Sequence, residues 1–295
     1  MEDNFPMVSI HMITYNHEKY IEQAIEGVLM QECNFNIELI IANDKSPDDT
    51  DKVVRNIINT HSRSNSIKYF SHKDNLGIMA NFKFALEKCK GKYIAICEGD
   101  DYWTDPLKLQ KQVQFLENNP VYNASFHDVN VLFEDKTIKF SDWQNSQFES
   151  STIGFDDIIA TDWLIPTCSS VFRNEKVLLP AFISNFNYVD FPLFSGLALN
   201  SKFHYFSDVM AVYRKDNINS VTNNKNFFKN VKKSVDYTLF LNWLQKFASK
   251  EEQTKIDERF QLETKRIYSH LNSFENSRFM KLHSFFRRIF KLYNF

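Results

Sequence analysis

Tyr93-Ile-Ala-Ile-Cys-Glu-Gly-Asp-Asp-Tyr-Trp-Thr-Asp-Pro106 decides how the rest of the chain is read. It opens as a short apolar run with the length of a buried strand and stops abruptly in acid. Glu98, Asp100 and Asp101 follow Cys97 with only Gly99 between them. Carboxylates gathered at the end of a buried strand repel one another and lose hydration, an arrangement that a positive group among them would relieve. A hard divalent cation, Mg2+ or Mn2+, suits oxygen ligands and commonly takes one or two carboxylates together with substrate phosphates. Gly99 is expected to turn the backbone so that Glu98 and Asp100 face one point. The alternative is a solvated acidic turn between strand and helix.

Working outward from this stretch, strands and helices alternate. Val8–Ile13 is a β-prone run ended by Thr14, Tyr15 and Asn16, and Asn16 is a candidate N-cap. Ile21, Ala24, Ile25, Val28 and Leu29 then share one helical face. A second strand, Ile37–Ala42, ends at Asn43 and Asp44. Ser46-Pro47-Asp48-Asp49 carries the signals of a helix start, with Ser46 as N-cap. Ile67–Phe70 reads as a third strand, and Asn75-Leu76-Gly77 turns the chain into a helix holding Phe82, Ala85 and Leu86. Asp105-Pro106 opens the next helix, with Leu109, Val113 and Leu116 inward. This alternation predicts a mostly parallel sheet covered by helices, which binds ligands beyond the carboxyl ends of its strands. Tyr15, Asp44 and the acidic cluster would all fall there. No G-x-G-x-x-G follows the first strand and no G-x-x-x-x-G-K-[ST] occurs, so neither a standard dinucleotide fold nor a P-loop is supported.

The second half is less regular. Strands are expected at Ala124–Phe133, Thr167–Phe172, Phe203–Phe206 and Val209–Tyr213, a loop or hairpin over 134–151, and a helix after Tyr188–Pro192. Beyond Asn217 the composition turns to Asn, Lys and Phe with helical spacing. Phe228, Val231, Val235 and Leu239 mark one face, and Ile256, Phe260 and Ile267 a second. The run Arg278–Phe295 splits on a helical wheel. Phe279, Leu282, Phe286, Ile289, Phe290 and Tyr293 lie on one side, Arg278, Lys281, Arg287, Arg288 and Lys291 largely opposite, with no acid. Such a helix can lie in an anionic membrane surface, or dock on the protein or a partner copy in a homo-oligomer.

The bulk numbers fit this outline. A chain of 295 residues, 43% hydrophobic and 24% charged, suits one large α/β domain with an appendage. A net charge of −2 gives no indication of nucleic acid as a partner. Cys33, Cys89, Cys97 and Cys168 form no C-x-x-C pair, which argues against zinc and a disulfide framework. The acidic N-terminus lacks an apolar signal region and no long apolar run occurs, so a cytoplasmic protein is expected. His11, His17 and His127 are expected to fill strand or helix-start positions, and Trp103 and Trp163 to pack in the core or on an acceptor side.

The order of these features resembles glycosyltransferase family 2. It rests on Val8-Ser-Ile with Thr14-Tyr-Asn16, Asn43-Asp-Lys-Ser-Pro-Asp-Asp-Thr50, Asn75-Leu-Gly77, Gly91-Lys-Tyr-Ile94 and Glu98-Gly-Asp-Asp-Tyr-Trp103. Leu107-Lys-Leu-Gln-Lys-Gln112 strengthens the likeness, which covers roughly residues 6–216. The resemblance implies a GT-A domain over 1–216: a Rossmann-like, mixed but mostly parallel sheet flanked by helices. Its nucleotide-sugar half would be about 1–104 and its acceptor half about 105–216, with a helical extension over 217–295. It further implies transfer of a sugar, with inversion and with Mn2+ or Mg2+, from a nucleotide-sugar donor, a UDP-sugar foremost, to an acceptor hydroxyl. The acceptor would be a surface glycan or its lipid-linked precursor.

Carried over by position, Tyr15, flanked by Thr14 and Asn16, would pack on the donor's base, and Asp44 would hydrogen-bond it, with Asn75 nearby. Glu98 would stand near ribose or metal, Asp100 would be the principal metal carboxylate, and Asp101 would support it. Asp190 would be the catalytic base, and Arg214 would lie near the diphosphate. Three positions depart from the pattern: Glu98 replaces the first Asp of D-x-D, Asn43 and Lys45 replace the commoner Asp and Gly around Asp44, and Val189 stands where an acid often accompanies the base. The rival readings are a degenerate domain that binds without turnover and a sugar-nucleotide pyrophosphorylase. The second would want a Gly-rich phosphate loop where Thr14–His17 stands.

Overall fold

The computed structural model describes residues 6–133, 137–140, 150–215 and 227–275. The chain divides into two compact units, Met1–Ser220 and Val221–Phe295.

In the first unit the elements are β1 (Val8–Thr14), α1 (Ile21–Leu29), β2 (Ile37–Asn43), α2 (Thr50–Thr60), β3 (Ile67–Ser71), α3 (Ile78–Lys88), β4 (Tyr93–Ile96), β5 (Tyr102–Trp103), α4 (Lys108–Asn118), β6 (Tyr122–Leu132), β7 (Thr137–Lys139), β8 (Thr152–Ile153), α5 (Phe155–Ala160), β9 (Val171–Arg173), α6 (Asp190–Ala198) and β10 (Lys202–Arg214). They form one mixed sheet in the order β3-β2-β1-β4-β9-β6-β10-β5, with β7 on β6 and β8 on β10. β3, β2, β1 and β4 run parallel, as do β6 and β10, while β9 and β5 are antiparallel to their neighbours.

The parallel half is buried on both faces, which is why β1, β2 and β4 read as near-continuous apolar runs. α1 buries Ile21, Ala24, Ile25, Val28 and Leu29, the face its periodicity indicates. Each of the isoleucine, valine and leucine side chains contributes about 1.5–3 kcal/mol when fully buried. Gly27 brings α1 against the acidic loop: a Cβ there would stand 2.9 Å from both the amide nitrogen and the carbonyl oxygen of Trp103. Trp103 in turn donates its indole N–H to the Cys168 carbonyl at 2.8 Å, so the loop's far side is held from both directions.

Four local expectations are corrected. α1 begins at Ile21 with Tyr20 before it, and Asn16 instead takes a left-handed turn at φ 62°. α2 begins at Thr50: Ser46 Oγ is drawn to the loop after β1, and Asp48 bridges the two, one carboxylate oxygen accepting from Glu18 N–H and the other from the Thr50 amide and hydroxyl. Thr167–Ser169 is a 3-10 turn, and only Val171–Arg173 is strand. Phe203–Tyr213 belongs to one strand, β10, whose register shifts near Phe206–Ala211 produce the break that looked like two strands.

The second unit contains α7 (Phe227–Leu244) and α8 (Lys250–Glu275). α7 is apolar on two faces. The packed face holds Tyr237, Phe240, Leu241 and Leu244, while Phe228, Val235 and Leu239, of the face marked in the sequence, are exposed. The Arg259 guanidinium lies 5.8 Å from the Tyr237 ring centre and so ties α8 to that side. The basic run 278–295 lies outside the described residues. Among the described residues no helix is long and apolar enough to cross a membrane.

Candidate active site

The loops after β1 and β2 are stitched together at the carboxyl edge of the sheet. Asn16 N–H donates to Ser46 Oγ (3.0 Å), His17 N–H to Thr50 Oγ1 (3.0 Å), and Glu18 N–H to Asp48 (2.9 Å). Asp49 N–H answers with a bond to the Glu18 carboxylate at 3.0 Å. Asn43 accounts for its own presence here. Its Oδ1 accepts from the Ser46 amide (2.9 Å) and hydroxyl (2.7 Å), and its Nδ2 donates to Tyr69 Oη (2.9 Å). Lys45 adopts φ 58°, a left-handed conformation, which explains why Gly is the commoner residue there.

Asp44 is buried, and its carboxylate accepts from Leu76 N–H at 2.6 Å and Gly77 N–H at 2.9 Å. Asn75 Nδ2 donates to the Asp44 carbonyl at 2.9 Å. Asp44 and Asn75 therefore clamp the loop leading into α3 as well as bordering the crevice. Tyr15, 45% exposed, stands on the rim. Thr14 is buried, and its Oγ1 has no hydrogen-bond partner.

The acidic loop continues the pairing of β4 with β1: Cys97 N–H donates to the His11 carbonyl (3.1 Å) and Gly99 N–H to the Ile13 carbonyl (3.0 Å). Gly99 is required for close approach rather than for an unusual turn. A Cβ there would meet Thr14 Oγ1 at 2.7 Å and His17 Nδ1 at 2.9 Å, and only Gly77 among the glycines has a positive φ. The loop thus presses directly on the end of β1.

Four carboxylates share this edge. Glu98 is partly buried and its carboxyl is pushed up to about 8, first by loss of hydration and then by the charges of Asp100 and Asp190, against a hydrogen bond from Thr167. Its Oε2 has no partner. Asp101 is also pushed well up, by burial and then by Asp100 and Glu98. Asp100 is the more accessible acid, and Nε2 of His17 lies 3.7 Å from its Oδ2. Asp190 opens α6 and is close enough to bear on Glu98, Tyr188 and Tyr213.

Arg214 ends β10 and braces this loop. Its backbone N–H donates to Asp101 Oδ1 at 2.8 Å and its Nη1 to the Asp100 carbonyl at 2.5 Å. The guanidinium also bonds Gln23 and lies over the rings of Tyr20 (5.0 Å) and Tyr102 (4.5 Å).

The donor set fits a hard cation in part. All the candidate ligands are oxygens, they repel one another, and a buried oxygen of Glu98 is unpartnered. Among the described residues no three His, Cys, Asp or Glu side chains already meet as a metal-holding group. Asp101, expected to support the metal, is already engaged within the chain. Its carboxylate is buried, with Oδ1 on the Arg214 amide and a further hydrogen bond to Cys168, so it shapes the loop.

Sequence reasoning missed His17, Thr167 and Tyr213. Tyr213 is partly buried, its ring centre 5.3 Å from that of Trp163, and loss of hydration together with the field of all four acids pushes its hydroxyl well up. Its position one residue before Arg214 on β10 was the available signal.

A mixed α/β sheet carrying this acidic loop at its strand ends is the architecture of GT-A glycosyltransferases. The Staphylococcus aureus TarS 1-349 fragment in complex with UDP-GlcNAc superimposes with a TM-score of 0.67 at 19% identity, over 89% of this chain and 72% of that one. The mannosyltransferase PcManGT of Pyrobaculum calidifontis, in complex with GDP-Man and Mn2+, gives 0.61 at 15% identity, over 91% and 74%. The chain belongs to glycosyl transferase family 2, whose model matches residues 9–221. The uncharacterized protein Rv1520 of Mycobacterium tuberculosis is 35% identical over 210 residues, 70% of this chain but only 58% of its own length.

Proposed function

We propose that this chain is an inverting, metal-dependent glycosyltransferase that moves a sugar from a nucleoside-diphosphate donor, a UDP-sugar foremost, to an acceptor hydroxyl. The acceptor would be a surface polysaccharide or a lipid-linked glycan precursor. The observation that carries the reading is Glu98: partly buried, with its enclosed Oε2 unpartnered, and under the charges of Asp100 and Asp190 at the carboxyl edge of parallel strands. The UDP-GlcNAc held by TarS and the GDP-Man and Mn2+ held by PcManGT support the donor and cofactor classes.

In this scheme Tyr15 offers its exposed ring to the base, while Asp44 and Asn75 hold the wall beside it. Glu98 and Asp100 would hold Mn2+ or Mg2+, which supplies Lewis-acid stabilisation to the leaving diphosphate. Arg214 and Asp101 keep the acidic loop in place. Asp190 takes the proton of the acceptor hydroxyl as that oxygen bonds to the anomeric carbon. The bond to the diphosphate oxygen breaks in the same step and its electron pair leaves with the nucleotide. One displacement with one base inverts the anomeric centre.

The test is nucleotide release from UDP-, GDP- and dTDP-sugars with Mn2+ or EDTA, comparing wild type with Asp100→Ala and Asp190→Asn. Release that requires both metal and Asp100 is the expected result, with Asp190→Asn retaining donor binding but losing turnover. Failure to bind any nucleotide sugar refutes the proposal, and donor binding without release, even with lipid-linked acceptors present, identifies a binding module instead.

A further inference from the structure

Polar atoms that the fold has closed off from water meet behind the acidic loop. Thr14 Oγ1 and His17 Nδ1 are both buried, and neither has a hydrogen-bond partner among the described residues. They face one point: a Cβ on Gly99 would stand 2.7 Å from the first and 2.9 Å from the second. A buried polar atom left unmatched is costly, so each has reason to bond the other. An apolar side chain of similar shape at position 17 would fill the same space with no nitrogen to satisfy.

The neutral imidazole can meet the Thr14 hydroxyl in two ways. With Nδ1 as donor, the lone pair of Nε2 would face the Asp100 carboxylate. With Nδ1 as acceptor, Nε2 presents an N–H instead. Nε2 lies 3.7 Å from Asp100 Oδ2, longer than a hydrogen bond but close enough for the carboxylate to select the second arrangement. A doubly protonated ring would present the same Nε2–H, so the charge of His17 is immaterial. The ring is also held in place. The His17 amide donates to Thr50 Oγ1 at 3.0 Å, its carbonyl accepts from the Tyr20 and Ile21 amides at 2.9 Å each, and its side chain is only 13% exposed.

We propose that His17 is a positioning residue for Asp100. The Thr14 hydroxyl donates to Nδ1 and sets the ring; Nε2–H closes on Oδ2 and orients the carboxylate that holds the cation in the proposed function. This role rests on the glycosyltransferase reading. Metal-binding carboxylates depend on such outer partners, whose loss costs about 10–100-fold in metal affinity or activity.

The test is Mn2+ binding to the full chain in saturating UDP, GDP or dTDP, read without turnover from the paramagnetic resonance signal of free Mn2+. His17→Leu should weaken Mn2+ about 10–100-fold. His17→Gln, whose amide N–H can replace Nε2–H, should recover most of that loss. Thr14→Val should weaken Mn2+ in the same direction and add little to His17→Leu, because the hydroxyl acts through the ring. In nucleotide release, the His17→Leu defect should lie in the Mn2+ concentration required and be largely relieved at saturating Mn2+. A packing role alone would lower the melting temperature and leave Mn2+ affinity unchanged.

A folded His17→Leu protein with wild-type Mn2+ affinity overturns the role of His17 and leaves the proposed function standing. Equal weakening by His17→Gln and His17→Leu also overturns it. Should His17→Leu not fold, Thr14→Val decides, with unchanged Mn2+ affinity as the refuting result. Wild type that binds no Mn2+ with any of the three nucleotides overturns the proposed function and the role of His17 together.

Discussion

Replacing Gly99 with alanine probes the seam on which the site is built. The added Cβ would stand 2.7 Å from Thr14 Oγ1 and 2.9 Å from both Thr14 Cβ and His17 Nδ1, where ordinary contact begins at 3.4 Å. Thr14 ends a fully hydrogen-bonded strand and the His17 amide is tied to Thr50, so neither can step aside cheaply. The acidic loop must lift by about half an ångström, at an overpacking cost of about 1–3 kcal/mol. For a unit of this size that lowers the melting temperature by about 2–10 °C. The activity loss should exceed what instability explains, because a displacement on the order of 1 Å in a positioning element costs about a hundredfold. Nucleotide release at saturating donor, measured well below the melting transition, reads that loss. Adding Thr14→Ala should rescue only part of it, since Thr14 Cβ remains in contact. A Gly99→Ala protein that melts and turns over like wild type would refute the reasoning.

Three further outcomes are expected. Lys108 is buried, hydrogen-bonded to Gln112 and 4.1 Å from the Trp103 ring centre, and burial brings its amine down to about 7. The unfolded chain therefore binds a proton that the fold does not between that value and the ordinary lysine range, and the Lys108 contribution to stability rises by about 1.4 kcal/mol per pH unit across that window. Burial raises the Glu98 carboxyl to about 8 and the Asp101 carboxyl well above its ordinary value, both working in the opposite sense, so the quantity to read is the difference between wild type and Lys108→Met in urea from pH 7 to 8.5. A difference independent of pH would refute it. Ser46→Ala removes the acceptor for Asn16 N–H and a partner of Asn43, and should cost about 1–3 kcal/mol and raise the KM for donor, checked by urea melts and donor titration. Arg214→Lys cannot reproduce the planar contacts with the Asp100 carbonyl, Tyr20 and Tyr102, and is expected to lower kcat at least tenfold in the nucleotide-release assay.

The parallel half was legible because its signals are local. A run such as Ile37–Ala42 and the face Ile21–Leu29 are dictated by the period of the element they form. The acidic cluster stood out because charge cannot follow a buried strand without a reason. Ser46, Asp48 and Thr50 show where that reading ends. Their spacing is that of a helix start, but the same hydroxyls and carboxylate also satisfy the amides of another loop, and which donor wins depends on β1 and β2 lying side by side. Tyr213 and Thr167 were invisible for the same reason, since each reaches the carboxylates from a strand or turn distant in sequence. On α7 two apolar faces competed, and nothing within the helix shows which one α8 covers.

The two edges of the sheet show how a structural acid differs from a functional one. Glu38, near the amino ends of β1 and β2, is as inaccessible as a side chain at the site. Burial opposes its ionisation, yet Lys68, the Ser9 hydroxyl and the Lys90 amide outweigh that and hold its carboxyl below the usual range. Every oxygen there has a partner within the chain. Glu98 has the same side chain at the opposite edge, with Asp100 and Asp190 for neighbours and one oxygen unmatched, and its carboxyl moves the other way. A fold that could satisfy Glu38 so fully had the means to place a lysine or arginine beside Glu98. Instead Arg214, which braces the same loop, spends its guanidinium on the Asp100 carbonyl and Gln23. Under the proposed function, the positive charge that Glu98 lacks would come from a cation bound together with the donor's diphosphate.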